Sequence, residues 1–182
     1  MTNAKTLACY LLFLLKEQMN GLQAEEFDVT PLKLQKLLYY CQGYALAFTG
    51  KPLFLEPIEA WRFGPVVNSV YQEYKKYKSG NIPLDEINKP DNIDDTAASI
   101  AAMVIDTEGK LSGIALAKAT HKERPWKETF SGAYHNDIIP IKLIQEFFTE
   151  EALKQEEADD DDVFWSSVGR PVSDEELEAA LA

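Results

Sequence analysis

Thr30-Pro31-Leu32-Lys33-Leu34-Gln35-Lys36-Leu37-Leu38-Tyr39-Tyr40-Cys41-Gln42-Gly43 is the stretch on which the fold turns. It leads into Gly50-Lys51-Pro52-Leu53-Phe54 and then Ile58-Glu59-Ala60-Trp61-Arg62-Phe63-Gly64-Pro65-Val66-Val67. Thr30 can accept a hydrogen bond from the free amides of a new helix, and Pro31 fits its first turn, where a missing N–H costs nothing. A helix therefore starts at Pro31. Leu34, Leu37, Leu38, Cys41, Ala45 and Phe48 recur at steps of three and four and share one face, which leaves Lys33, Lys36 and Gln42 largely off it. Gly50 supplies the stop.

Beyond Gly50, the prolines at 52 and 57 and the Gly64-Pro65 pair punctuate two short apolar runs, Leu53 to Leu55 and Ile58 to Phe63. Alternation in the second run sets Ile58, Ala60 and Arg62 on one side and Glu59, Trp61 and Phe63 on the other, the pattern of a short strand. A small β-hairpin around Leu53 to Phe63 follows. Pro65 then opens a helix with Val67, Val70, Tyr71, Tyr74 and Tyr77 as its apolar and aromatic stripe, Lys75, Lys76 and Lys78 at its C-terminal end, and Gly80 as its stop.

Lys33-Leu34-Gln35-Lys36-Leu37-Leu38-Tyr39-Tyr40, Gly43, Gly50-Lys51-Pro52-Leu53-Phe54, Glu56, Ile58-Glu59-Ala60-Trp61, Gly64-Pro65-Val66-Val67 and Val70-Tyr71 together resemble the signature of the Panacea domain. Thr120-His121-Lys122-Glu123-Arg124-Pro125-Trp126 is similar to that family's second motif, so the resemblance covers roughly residues 30–150. Cys41, Tyr44 and Asn68 depart from the residues common in the family, and none of them is a residue that sets the chain's shape. The family is found in bacteria and phages, includes SocA-like and phage-associated proteins, and its members act as antitoxins in toxin–antitoxin pairs. The resemblance implies that Lys33, Gln35, Lys36, Tyr39, Gly43, Trp61, Gly64, Pro65, Tyr71, His121, Pro125 and Trp126 are structural or partner-binding. It also implies a partner, a cognate toxin encoded by an adjacent gene.

To either side of this stretch the chain reads as helix. Lys5 to Met19 has so broad an apolar face that little of it can meet water, with Gly21 to close it. Its Leu7 to Leu15 run is followed by Lys16, Glu17 and Gln18 rather than a small-residue cleavage site, and it is too short to span a bilayer. Asn81 to Asp95, with two prolines, is a surface link. Asp94 or Asp95 caps a helix that Gly109 ends, Ser112 caps the next, and Pro125 breaks that one, with Trp126 beside it as a packing plug whose indole N–H finds a carbonyl. Pro140 opens a last core helix carrying Ile141, Ile144, Phe147 and Phe148.

Residues 1–150 carry 16 Lys and Arg against 19 Asp and Glu, while residues 151–182 carry 2 against 11, so the net charge of −12 belongs mostly to the tail. Gln155 to Asp162 is nearly all acidic and buries too little apolar surface to repay ordering. Phe164 and Trp165 then stand as aromatic anchors, and Ser173 with Glu176 has capping-box spacing for a short helix presenting Leu177 and Leu181. Acidic flanks around an aromatic anchor fit a segment that orders on a basic partner. The Leu177 to Ala182 terminus has the small apolar character that a protease responsible for turnover can engage.

Catalytic chemistry has weak support. Cys41 sits on an apolar stripe, His121 lies near a helix C-terminus where its charged form is favoured, and His135 is the other histidine. Metal-ligand spacings, calcium loops and phosphate loops are absent from the sequence, so no cofactor is expected. Lys33, Lys36 and Arg62 could form a modest basic patch. Trp61 is open to two readings, a core residue or an exposed binding anchor.

The expectation is a mainly α domain over residues 1–150, with about six or seven helices and one short hairpin, followed by a disordered acidic tail over residues 151–182. It is a cytoplasmic interaction protein with two thiols and no secretory features, and neither membrane nor unaided nucleic-acid binding suits its charge. The resemblance supplies the function, an antitoxin that neutralises its toxin by direct contact. The alternatives are a small hydrolase using Cys41 or His121 and a DNA-binding autoregulator.

Overall fold

The computed structural model describes residues 2–19, 29–132 and 136–168, with side chains through Lys154. In chain order the elements are α1 (Ala4–Met19), α2 (Pro31–Thr49), β1 (Ile58–Trp61), β2 (Gly64–Val67), α3 (Asn68–Tyr74) continued by a 3-10 turn at Lys75–Tyr77, α4 (Asp95–Glu108), α5 (Gly113–Thr120), α6 (Arg124–Thr129), β3 (Asp137–Ile138) and α7 (Ile141–Val168). The fold is mainly α, with a small antiparallel sheet of order β2-β1-β3.

Helix α2 is the post around which the domain is packed, touching α1, α3, α4, α5 and β2. Thr30 caps it through the Lys33 amide and Gly50 ends it in the left-handed conformation, as the sequence predicts. The expected one-sided stripe is corrected, however. Lys33, Lys36 and Gln42 are buried along with Leu34, Leu37, Leu38 and Cys41, and Phe48 is 54% exposed. The reason is hydrogen-bond satisfaction: short elements and turns crowd every side of α2, and their main-chain groups need partners that water cannot supply. Lys33 Nζ donates to the Gly109 carbonyl at the end of α4 (2.6 Å). Gln42 donates to the Phe54 carbonyl and accepts from the Leu53 amide, both at 2.9 Å.

That pair of bonds also explains why Leu53 to Leu55 is no strand: its main chain is spent on Gln42. The hairpin pairs Ile58–Trp61 with Gly64–Val67 across the two-residue turn Arg62-Phe63, in register Ile58 with Val67 and Trp61 with Gly64. Pro65 therefore lies in β2 and does not open α3. It is tolerated there because β2 is an outer strand, where a missing N–H breaks no ladder. Strand β3 adds to β1, pairing Glu59 with Ile138.

Asp94 and Ser112 cap α4 and α5 through the amides of Ala97 and Ala115. Pro125 occupies the first turn of α6 rather than breaking α5, which ends at Thr120. The Asn81 to Asp95 link is less exposed than its composition implies. Ile82 is buried, and Lys16 Nζ donates to the carbonyls of Asp85 and Ile87 (3.2 and 2.8 Å). On the far side of α2, the Phe148 ring lies against Tyr39, Tyr40 and Tyr44. Gly43 makes room for it, since a Cβ there would stand 2.3 Å from the ring.

The chain divides into two units, Met1–Thr149 and Glu150–Ala182. Helix α7 is continuous to Val168 and so takes in the acidic run and the main chain of Phe164 and Trp165. Helix extends past residue 150 because glutamate, alanine, lysine and glutamine are strong local helix formers, a preference that needs no burial. The helix expected from Asp174, with Leu177 and Leu181, lies outside the described residues, as do Gly21 and His135.

Candidate functional site

Three main-chain groups of the hairpin are held by side chains of the two sequence motifs. Trp126 Nε1 donates to the Trp61 carbonyl (2.8 Å). The His121 ring stacks on the Trp126 indole, 4.1 Å between ring centres, and its Nε2 is buried without a hydrogen-bond partner among the described residues. Lys36 Nζ donates to the Pro65 carbonyl (2.8 Å), and the Val67 amide donates to Gln35 Oε1 (2.7 Å). Gly64 lies between them at φ 97, packed against the Thr120 hydroxyl and the end of Lys36. Thr120 in turn donates to the Ala117 carbonyl in α5 (3.0 Å). A buried main-chain group left without a partner costs about 1–3 kcal/mol, so these contacts fix the path of the turn.

The electrostatics of the clamp follow from its burial. Lys36 is fully buried, and desolvation lowers its amine to about 7 against a weaker opposing pull from Glu123. His121 is also lowered, by burial first and then by Lys36, with the nearby Arg62 main chain opposing. This corrects the expectation from its place at a helix C-terminus: loss of hydration and a nearby cation outweigh the helix dipole. Tyr40 donates to Glu123 Oε1 (2.7 Å), and burial with the Glu123 charge raises both Tyr39 and Tyr40.

Because Lys36 has a lowered folded value and an unfolded value near 10.5, the unfolded chain binds more protons between about 7 and 10.5. The stability Lys36 contributes is therefore greatest above 10.5 and is lost as pH falls toward 7. Relative to Lys36→Met, the wild type should gain about 2 kcal/mol between pH 7 and pH 9. Urea denaturation of both proteins at the two pH values measures it, and parallel pH profiles would contradict the assignment.

The clamp displays a surface. Phe63, at the tip, is 61% exposed, with the Arg62 guanidinium 5.5 Å from its ring centre. Trp61 is half-buried, edge-on to Tyr71 at 4.7 Å, and donates through Nε1 to Glu59 (2.7 Å). Between the hairpin, α2 and α5 lies a groove of about 740 Å³, lined chiefly by Leu32, Gln35, Trp61, Phe63, Tyr71 and Ile114. Ile114 is 62% exposed. Sequence reasoning passed over Phe63 and Ile114 as site residues. The available signal was a large apolar residue in a two-residue turn, and another beside a helix cap, on the side away from Leu116.

The structure brings Gln35, Lys36, Trp61, Gly64, Pro65, Tyr71, His121 and Trp126 together around the hairpin, with Pro125 buried at the start of α6. It places Lys33, Tyr39 and Gly43 elsewhere on α2. The basic patch is corrected: Lys33 and Lys36 are interior, and Arg62 alone of the three is exposed. Cys41 is wholly buried and its thiol is pushed up by desolvation, so a thiolate there is costly. Among the described residues no cluster of His, Cys, Asp and Glu could hold a metal ion, and no helix is long and apolar enough to cross a membrane.

A family model described as "Antitoxin SocA-like, Panacea domain" matches residues 34–127, just over half of the chain. The chain belongs to the SocA-like Panacea-domain antitoxin family. The matched part of this Panacea domain begins within α2 and ends within α6, and so holds Gln35, Lys36 and Trp126 and the hairpin they bind. A protein named Antitoxin SocA, from Caulobacter vibrioides (strain NA1000 / CB15N), is 30% identical to the chain over 136 residues, covering 66% of this chain and 70% of its own. No solved structure is a significant match to the Panacea-domain chain.

Proposed function

We propose that this Panacea-domain protein is the antitoxin of a toxin–antitoxin pair and neutralises its cognate toxin, the product of an adjacent gene, by direct protein contact in the cytoplasm. The observation that carries this reading, beside family membership, is the hairpin. Three main-chain groups are tied down, by Gln35, Lys36 and Trp126, and the residues thereby held out toward solvent are Arg62 and Phe63. A rigid display of aromatic and arginine side chains binds protein at low entropic cost, and such residues dominate interface energies.

The acidic tail is the second part of the proposal. Phe164 and Trp165, with Leu177 and Leu181 beyond them, supply apolar anchors, and the surrounding carboxylates draw in a basic surface of the toxin. A hydrolase built on Cys41 has less support because its thiol is buried and raised. A DNA-binding regulator has less because Lys33 and Lys36 are spent inside the fold.

Growth of a host expressing the neighbouring reading frame, with and without this protein, tests the proposal. The expected result is arrest, relieved on co-expression, with the two proteins co-purifying. Deleting residues 155–182 should weaken protection, and full protection by the truncated chain would remove the tail from the account. A harmless neighbour would overturn the antitoxin reading for this pair.

A further inference from the structure

The groove beside the clamped hairpin has a charge pattern opposite to that of the chain as a whole. The protein carries a net −12, yet the charged residues lining the groove are two cations, Arg62 and Lys78. Neither has a carboxylate within ion-pair distance among the described residues. Both stand over an apolar floor.

Lys78 adds a second observation. It is the one non-glycine residue with positive φ among the described residues, at φ 53 and ψ −118. A lysine is held there in a conformation that glycine would adopt with less strain, and strain of this kind gathers where a side chain is needed for binding. Gln35 lies on the floor with its oxygen committed to the Val67 amide, which leaves its amide nitrogen as the donor it can offer. Strand addition to β2 is disfavoured because Pro65 has no N–H to offer and the Pro65 carbonyl and Val67 amide are already taken by Lys36 and Gln35.

We infer that the groove between the hairpin, α2 and α5 takes an apolar segment of the toxin whose anchoring side chains fill the space between Trp61, Phe63 and Ile114 and whose neighbouring carboxylates meet Arg62 and Lys78. The inference rests on the antitoxin reading above and names the part of the toxin that this surface fits. Its charge requirement is the reverse of the tail's, so the two contacts attract different faces of one partner and fix its orientation.

Titration of the purified toxin into the intact chain tests it with two double variants, Phe63→Asp with Ile114→Asp, and Arg62→Glu with Lys78→Glu. All four positions are exposed, so the variants keep the fold, which circular dichroism verifies. The apolar pair should weaken binding about 30-fold or more. The charge-reversed pair should weaken it about 10-fold and change the salt dependence of what remains. Wild-type binding with the apolar pair unaffected would overturn the groove while leaving the antitoxin reading intact. Charge-reversed protein that binds as tightly as wild type would overturn the carboxylate requirement. No complex with wild type would overturn both the groove and direct neutralisation.

Discussion

Gly64→Ala is expected to destabilise the domain by about 2–5 kcal/mol, from two separate costs. The first is conformational: φ at Gly64 is 97, where a side chain is strained. The second is steric: the new Cβ would stand 2.6 Å from Thr120 Oγ1 and 2.8–2.9 Å from Lys36 Cε and Nζ. Neither neighbour can withdraw, since both are wholly buried and each is engaged with a main-chain carbonyl. Gly50→Ala is the matched control. Gly50 also has positive φ, at 68, but nothing lies within 4 Å of its Cβ position, so it incurs only the conformational cost, about 1–2 kcal/mol. Urea denaturation of the three proteins separates the two costs, and equal losses for both variants would contradict the tight packing of the hairpin on Lys36 and Thr120.

Trp126→Ala carries the second large effect. The indole is sandwiched between His121, 4.1 Å away at 28°, and Phe130, 4.6 Å away at 15°, while its N–H holds the Trp61 carbonyl. Removing it deletes both stacks and releases β1 at the turn, for a loss of about 3 kcal/mol. Trp126→Phe keeps the stacking and loses the hydrogen bond alone, at about 1 kcal/mol. If phenylalanine proves as damaging as alanine, the bond to Trp61 outweighs the packing; if it is neutral, the turn is not held by this bond.

The parts of the fold legible in the sequence are those decided by neighbouring residues. Thr30, Asp94 and Ser112 cap their helices because a short polar side chain meets the third amide ahead of it, a relation contained within one turn. The indole N–H of Trp126 finds a carbonyl, as expected of a large ring with one donor. Lys36 shows why other parts were hidden. Period reasoning assigns lysine to water, and nothing near it in the sequence says that the Pro65 carbonyl, 29 residues on, will need its N–H donor. The local pattern around Pro65 fits a helix opener, whereas strand pairing with Ala60 places it in β2. The groove was hidden for the same reason, since Phe63, Ile114 and Lys78 meet only once three separate segments have packed.

The clamp and the groove account for a domain in which Gln35, Lys36 and Trp126 hold one hairpin with its turn exposed. The most direct test of the central claim is calorimetric titration of the purified toxin with the intact protein, alongside an assay of the toxin's own activity. The account predicts a saturable complex, with toxin activity falling in step with occupancy. Restored growth in cells without any complex between the purified proteins would contradict it, because protection would then be exerted without contact.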